Sequence, residues 1–153
     1  DAHMTLSSKA LENFRFWLSK DATISRFFSH IQFEFIISSD ASKLGWGASC
    51  DNHNVGGRWH PVEAIMSINW LELYACLLAL KAFACLVCNS RVSVKLDNLC
   101  AIHYINNHGG VIESLNDLSR EFWTWCKHTN VKVYASHVPG VENTAADFCS
   151  RHF

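Results

Sequence analysis

Residues 68–87 constrain the fold more than any other part of this sequence. The segment is too long for a strand, contains neither glycine nor proline and is apolar around most of its circumference, so it predicts a helix that is buried on most sides. Its one carboxylate, Glu72, lies near the start of the segment. An ionised carboxylate is costly in such surroundings unless something compensates it, and Glu72 is therefore a candidate for a functional role.

Hydrophobic periodicity divides the rest of the chain into short strands and helices. The predicted strands are 33–40, 45–50, 55–59, 91–97 and 131–136. The further predicted helices are 6–18, a short one that ends near 106, 114–127 and 143–150. The order α-βββ-α-β-α-α-β-α is typical of one α/β domain with a five-stranded mixed sheet, in which three antiparallel strands are followed by two parallel ones and helices flank the sheet.

The domain itself is expected to occupy residues 33–153. Residues 1–4 (Asp-Ala-His-Met) look like a cloning remnant, and residues 5–32 are expected to form a helical lead-in. Of the 153 residues, 49% are hydrophobic, which suits a globular domain and excludes disordered and fibrous classes. Because no apolar run reaches the length of a membrane span and no secretory signal is visible, no membrane association is expected.

The seven cysteines are odd in number and scattered through apolar stretches, which favours a reduced, intracellular chain in the cytoplasm or the nucleus. Cys85 and Cys88 form a CxxC pair without a second pair or a nearby histidine pair, so ordinary buried thiols are expected there rather than a zinc or redox centre. The formal net charge of −1 lacks the basic excess of a non-specific nucleic-acid-binding protein. It is still compatible with a nuclease that recruits its own cations.

Four of the 14 acidic residues stand out because their surroundings are apolar. Asp40 and Asp97 each end an apolar strand. Glu72 lies in the buried helix, and Asp147 lies in the first turns of the last helix. Taken singly, each is explained as a helix cap, a strand-end residue or a partly exposed side chain. Taken together, they are expected to converge at one edge of the sheet, where Mg²⁺ or Mn²⁺ would offset their repulsion and serve phosphodiester hydrolysis.

Four sequence motifs carry a resemblance to ribonuclease H. They are Ser-Asp-Ala-Ser-Lys-Leu-Gly-Trp-Gly-Ala at 39–48, Asn-Trp-Leu-Glu-Leu at 69–73, Leu-Asp-Asn at 96–98, and an ending of the H-x-P-G-x-x-N-x-x-A-D-x-x-S-R type at 137–151. The ending is similar to that of retrotransposon RNase H domains. Together with Gly-Gly-Arg-Trp, Tyr-Ile-Asn-Asn-His-Gly-Gly and Phe-Trp-Thr-Trp-Cys, it makes the chain most similar to DIRS-type elements, which integrate with a tyrosine recombinase. The match covers about residues 33–151.

This resemblance implies an RNase H-like fold and a metal-dependent endonuclease that hydrolyses the RNA strand of an RNA–DNA hybrid, leaving a 3′-hydroxyl and a 5′-phosphate. The implied cofactor is two Mg²⁺ ions, for which Mn²⁺ can substitute, with Asp40 shared between them. Glu72 and Asp97 would help to hold the ion on the leaving-group side, and Asp147 the ion that activates water. His137, ten residues before Asp147, is implied in proton transfer or product release; otherwise it is an exposed loop histidine.

The resemblance also implies contacts with the hybrid. Asn69 matches an amide that is placed in the minor groove, although it is alternatively a helix cap, and Asn98 matches a small polar residue after the second aspartate. Ser42 and Arg58 are candidates to reach a phosphate or a 2′-hydroxyl. Leu99 stands where some retroviral relatives have a second amide. The expected partners are the hybrid and a reverse transcriptase domain of the same polyprotein, and the domain itself is expected to be monomeric.

Three alternatives stay open at the level of sequence. One is another nuclease of the same fold, such as an integrase, resolvase or exonuclease, although DDE integrases carry a glutamate where this chain has Asp147. The second is a catalytically silent RNase H-like module for nucleic-acid binding or docking, which would usually lack one of the four acids. The third is a structural domain without a nucleic-acid role.

Overall fold

The computed structural model describes residues 7–12 and 33–153. The chain forms two compact units, Asp1–Ile31 and Gln32–Phe153. In the first unit, residues 8–12 are helical, and the Ser7 hydroxyl accepts a hydrogen bond from the backbone N–H of Ala10 at 3.2 Å, as a helix cap does. The rest of the predicted helix 6–18, the remainder of the lead-in to residue 32 and the residues of the predicted cloning remnant lie outside the described residues.

The second unit contains a five-stranded mixed sheet in the order β3-β2-β1-β4-β5, which confirms the predicted fold class. Neighbours among the first three strands are antiparallel, whereas β4 runs parallel to both β1 and β5. The strands are β1 (Phe35–Ala41), β2 (Gly45–Cys50), β3 (His53–Arg58), β4 (Arg91–Leu96) and β5 (Lys132–His137). The helices are α1 (Pro61–Ala64), α2 (Ile68–Ala82), α3 (Ala84–Val87), α4 (Leu99–Asn106), α5 (Glu113–Thr129) and α6 (Thr144–Arg151), with a 3₁₀ turn at Gly140–Glu142.

The long apolar helix is interrupted at Phe83, so the prediction of one helix over 68–87 is wrong about its length. Phe83 has φ −97° and ψ 17°, and the one-turn helix α3 follows it. The break turns the chain so that Phe83 and Val87 are buried while Cys85 and Cys88 face solvent. The prediction of buried thiols at these two cysteines is also wrong, because the helix does not continue through the core at that point.

Helix α2 lies at the centre of the core, as its apolar circumference predicts. Leu71, Leu77 and Leu80 are fully buried, and the helix packs against β1 and β2 as well as α4 and α5. The Ser67 hydroxyl caps its first turn by accepting a hydrogen bond from the N–H of Trp70 at 3.2 Å. Although α2 is strongly apolar, no helix among the described residues is long and apolar enough to cross a membrane.

Helix α6 covers part of the opposite face of the sheet and packs against β1, β2 and β3. The two backbones approach closely because Gly47 has no side chain: a Cβ added there would lie 2.2 Å from the carbonyl oxygen of Ala146. Just before α6, the side-chain amide of Asn143 donates a hydrogen bond to the carbonyl oxygen of Ser39 at 3.0 Å. These contacts hold the first turns of α6, which carry Asp147, against the end of β1.

We expect Gly47→Ala to lower the free energy of unfolding by about 1–3 kcal/mol, because the added methyl group would have to displace the backbone of α6. Gly57→Ala is the matched control in the neighbouring strand, since the atoms nearest to its added Cβ belong to the Trp46 side chain, the closest at 3.0 Å, and not to a backbone. Denaturant unfolding measures both variants. Equal losses of stability in the two variants would contradict the role given to the contact between β2 and α6.

Candidate active site

The structure gathers the four predicted carboxylates around one edge of the sheet. Strands β1 and β4 are parallel with Ser38 paired to Lys95, so Asp40 and Asp97 lie two residues further on at the same edge. Glu72 is in the second turn of α2, where the negative charges of Asp40 and Asp97 act on it. Asp147 is in the first turns of α6, and its charge acts on Asp40. The four side chains therefore form one electrostatic cluster.

Glu72 is the most buried member of this cluster, with 7% of the residue exposed. Its Oε2 atom has no hydrogen-bond partner, whereas the backbone N–H of Ala41 donates a hydrogen bond to the carboxylate. Burial, together with the charges of Asp40 and Asp97, raises the pKa of Glu72 to about 8. A buried carboxylate oxygen without a hydrogen-bond partner is unusual in a folded protein. Glu72 Oε2 is therefore a position at which a ligand or an ion could supply the missing contact.

Asp40 is held by a side chain from the far end of the sequence. The buried Ser150 hydroxyl donates a hydrogen bond to Asp40 Oδ2 at 2.8 Å. Burial raises the pKa of Asp40 above its ordinary value and the charges of Asp147 and Asp97 act in the same direction, whereas the Ser150 hydrogen bond and the charge of Arg151 lower it. Asp40 therefore sits between like charges, with one hydroxyl and one guanidinium offsetting them.

Asp97 and Asp147 each have a basic partner. His137 Nε2 lies 3.1 Å from Asp97 Oδ1, and both side chains are about half exposed. Arg151 Nε donates a hydrogen bond to Asp147 Oδ1 at 2.9 Å, from one turn further along α6. Gly140 also packs closely on Asp97, because a Cβ added to Gly140 would lie 2.6 Å from Asp97 Oδ2. The loop after β5 thus limits where the Asp97 carboxylate can point.

The donor set fits a pair of hard divalent cations, because it consists of carboxylate oxygens and includes the unpartnered Oε2 of Glu72. In the described part of the chain, however, no three His, Cys, Asp or Glu side chains are already arranged to hold a metal ion. Asp40, Asp97 and Asp147 are each engaged by a different protein partner. Each of these contacts uses one oxygen of its carboxylate, so a cation could bind through the other oxygen.

Two of the predicted substrate-binding residues form a polar pair next to the carboxylates. Asn98 follows Asp97 directly, and its Nδ2 donates a hydrogen bond to Asn69 Oδ1 at 2.9 Å. Asn98 Oδ1 also caps α4 by accepting a hydrogen bond from the N–H of Ala101 at 2.8 Å. The alternative role of Asn69 as a helix cap is wrong, because Ser67 caps α2. The amide pair bridges the N-terminal ends of α2 and α4.

The structure does not bring Ser42 and Arg58 to the same place. The Ser42 hydroxyl is buried and donates a hydrogen bond to the carbonyl oxygen of Ser150 at 2.6 Å, so a phosphate contact through it would require that bond to break. Arg58 is two strands away from Asp40, at the end of β3, and its guanidinium lies 5.5 Å from the centre of the Phe153 ring. The observed contacts give Ser42 a role in joining the β1–β2 turn to α6.

The sequence reasoning assigned no role to Ser150 or Arg151, although both lie within the 137–151 motif. Their spacing of three and four residues from Asp147 was the available signal, because residues at these spacings share one face of a helix. The contact of Ser150 with Asp40 spans 110 positions and had no signal in the local pattern.

Comparison with solved structures finds RNase H domains of low sequence identity. LC11-RNase H1, solved in complex with an RNA/DNA hybrid, matches with a TM-score of 0.64 at 17% identity, over 76% of this chain and 93% of its own. RNase H1 from the halophilic archaeon Halobacterium salinarum matches with a TM-score of 0.63 at 16% identity, over 75% and 92%. The chain has the ribonuclease H fold.

The ribonuclease H fold of this chain also matches part of a viral polyprotein. Prototype foamy virus protease-reverse transcriptase gives a TM-score of 0.50 at 11% identity, over 92% of this chain and 20% of the viral one. No protein-family model matches the sequence, and no curated protein does. The similarity is therefore one of fold, and the functional argument depends on the residues of the site.

We expect Glu72→Gln to remove a loss of stability that develops as the pH rises from the ordinary glutamate pKa of 4.5 to about 8. Glu72 keeps its proton in the folded protein up to about pH 8 but loses it near the ordinary glutamate pKa when unfolded. Between these values the unfolded state binds fewer protons, so stability falls as pH rises, by up to about 1.4 kcal/mol per pH unit. Glutamine has nearly the same shape and does not ionise.

The measurement is the free energy of unfolding between about pH 5 and pH 8.5 with a chelator present, for which we expect a flatter profile in Glu72→Gln than in the unchanged chain. The matched control is Glu121→Gln. Glu121 is an exposed glutamate on α5, and its Oε1 lies 3.8 Å from Lys81 Nζ. A profile of unchanged slope in Glu72→Gln would show that the buried carboxylate does not carry this pH dependence.

Proposed function

We propose that the chain is a metal-dependent endonuclease that hydrolyses the RNA strand of RNA–DNA hybrids and leaves 5′-phosphomonoesters. The observation that carries the proposal is the buried, unpartnered Oε2 of Glu72, which faces a cluster with Asp40 and Asp97 at the sheet edge of a ribonuclease H fold. A protein gains nothing in stability from such an atom, so its presence favours a functional role. The hybrid bound in the LC11-RNase H1 structure supports the choice of substrate.

Asp40, Glu72, Asp97 and Asp147 are the residues that would hold two Mg²⁺ ions, or Mn²⁺ in their place. Bound divalent cations supply charge neutralisation at the scissile phosphate and a more acidic water molecule. Asp40 has like charges on two sides and is the proposed shared ligand, with Glu72 and Asp97 on the leaving-group side and Asp147 on the water side. The four carboxylates would fix the positions of the ions, while the Ser150 hydroxyl keeps the Asp40 side chain oriented.

His137 is the proposed group for proton transfer. Its Nε2 is paired with Asp97 at 3.1 Å, and its side chain is half exposed, so the ring can exchange a proton at Nε2 with solvent or with a departing product. It ends β5 and is followed by the loop that contains Pro139 and Gly140.

The amide pair of Asn69 and Asn98 is the proposed contact with the hybrid. Amides donate and accept hydrogen bonds, which suits base edges and 2′-hydroxyls in a minor groove, and the 2′-hydroxyl distinguishes RNA from DNA. The pair lies directly beside Asp97, so a strand held there would be close to the carboxylates. Ser42 has no comparable support, because its buried hydroxyl is bonded to the Ser150 carbonyl oxygen, and Arg58 is exposed but lies against Phe153, two strands away from Asp40.

The motifs and the fold together support a proposal about the biological setting. We infer that the domain acts in reverse transcription of a DIRS-type retrotransposon inside the cell, as a monomeric module attached to a reverse transcriptase. The match to a stretch of the foamy virus protease-reverse transcriptase supports this arrangement. A net charge of −1 favours modest affinity for the hybrid, with the attached domain supplying further contacts.

We expect the purified chain with Mg²⁺ or Mn²⁺ to cut the RNA of a hybrid while sparing duplex DNA and single-stranded RNA. Asp97→Asn should abolish turnover and keep the fold, because it removes one carboxylate charge without changing side-chain size. Asp117→Asn is the matched control on α5, where Asp117 pairs with Arg120. The measurement is cleavage of labelled hybrid at high enzyme concentration. Normal hybrid binding without any cleavage would favour the catalytically silent module instead.

We expect His137→Ala to slow cleavage at saturating hybrid on the order of 10²-fold, which is the usual contribution of a general acid or base. Binding of the hybrid should change little, since the amide pair is untouched. The measurement is the single-turnover rate and the hybrid affinity of the same preparations. An unchanged rate would show that His137 serves only to hold Asp97.

A further inference from the structure

Arg151 places a positive charge inside the carboxylate cluster. Its Nε donates to Asp147 Oδ1 at 2.9 Å, and both side chains are about half exposed on α6. The charge of Arg151 also acts on Asp40, where it opposes the charges of Asp147 and Asp97. The guanidinium of Arg151 therefore acts on two members of the cluster. The guanidinium thus offsets part of the repulsion while no divalent ion is bound.

The arginine and a divalent cation would compete for the same carboxylate. Asp147 Oδ1 is the oxygen that Arg151 engages, and a guanidinium beside a bound cation would be repelled by it. Asp40 differs, because its partner is the neutral hydroxyl of Ser150. Removing the Ser150 hydroxyl would leave the charge near the site unchanged, whereas removing the Arg151 guanidinium would take away a positive charge that opposes cation binding.

We propose that Arg151 is a positioning residue that occupies Asp147 in the cation-free protein and is displaced from it when a divalent cation binds. The inference rests on the proposed function, because it requires the carboxylates to bind cations. Arg151 then sets the cation concentration at which the Asp147 side of the site fills.

A purely structural role for Arg151 makes a different prediction. An exposed ion pair four residues apart on a helix contributes little to stability, so Arg151→Gln should leave the fold intact. If the pair served only the helix, its loss would not change cation affinity. If it competes with the cation, its loss should tighten cation binding about 1.4- to five-fold, the fold-change that corresponds to the energies of exposed ion pairs.

The test is calorimetric titration of the full chain with Mn²⁺, without nucleic acid, at constant ionic strength. Four proteins complete a double-mutant cycle: the unchanged chain, Arg151→Gln, Asp147→Asn and the double variant. We expect Arg151→Gln to tighten binding in the unchanged background and to have a smaller effect in the Asp147→Asn background, where only its charge on Asp40 remains. Arg151→Lys should restore most of the weaker affinity. Arg120→Gln is the matched control, since Arg120 pairs with Asp117 at 3.0 Å on α5.

Two outcomes overturn the inference. The first is unchanged or weaker Mn²⁺ affinity in Arg151→Gln. The second is an equal gain in the Asp147→Asn background, which would mean that Arg151 acts only through long-range charge. Hybrid cleavage is measured separately, so the two proposals fail differently. Arg151-dependent Mn²⁺ binding without cleavage overturns the proposed function alone, whereas cleavage with an affinity indifferent to Arg151 overturns this inference alone.

Discussion

Repulsion among four carboxylates at one edge of a sheet is the constraint on which the site depends. Each carboxylate is offset by a different group: a hydroxyl at Asp40, an imidazole at Asp97, a guanidinium at Asp147 and a backbone N–H at Glu72. Glu72 is compensated least, because it is nearly buried and one of its oxygens has no partner. Its raised pKa is the direct result of that burial and of the charges of Asp40 and Asp97.

The fold brings these charges together by using both faces of the sheet. Helix α2 fills one face with apolar side chains and presents Glu72 from its second turn, while α6 lies on the other face over Gly47. The parallel pairing of β1 and β4 places Asp40 and Asp97 side by side. Neither helix can shift far, since α2 is packed on several sides and α6 touches backbone. The carboxylates are therefore gathered by packing rather than by mutual attraction.

Much of the fold could be predicted from the sequence, because period-two and helical patterns identify the strands and α2 and so give the order of these elements along the chain. The four acidic residues of the site could be recognised for the same reason, since a carboxylate within an apolar segment interrupts the hydrophobic pattern. The break at Phe83 was not visible, because it depends on how the chain turns toward β4. The helix α1 was missed, although Pro61 at its first position and the hydrogen bond from the His60 N–H to Glu63 at 2.8 Å explain it.

Contacts between distant parts of the sequence account for what the site predictions lacked. Ser42 was predicted to face a substrate, yet its hydroxyl joins Ser150, 108 positions away. Ser150 and Arg151 had no assigned role because their importance comes from Asp40 and Asp147 lying nearby in space. Such pairings leave no periodic trace, so only the folded arrangement reveals them.

The position of α6 in the chain also sets the order in which the carboxylate cluster is made. The polypeptide leaves the ribosome from its N terminus, so all five strands and α2 are synthesised before Thr144–Arg151. A growing chain therefore carries three of the four carboxylates, without the hydroxyl that orients Asp40 and without the guanidinium that offsets the charge. The full cluster forms only when α6 docks on β1–β3, which separates the time at which the sheet folds from the time at which its edge acquires the complete set of charges.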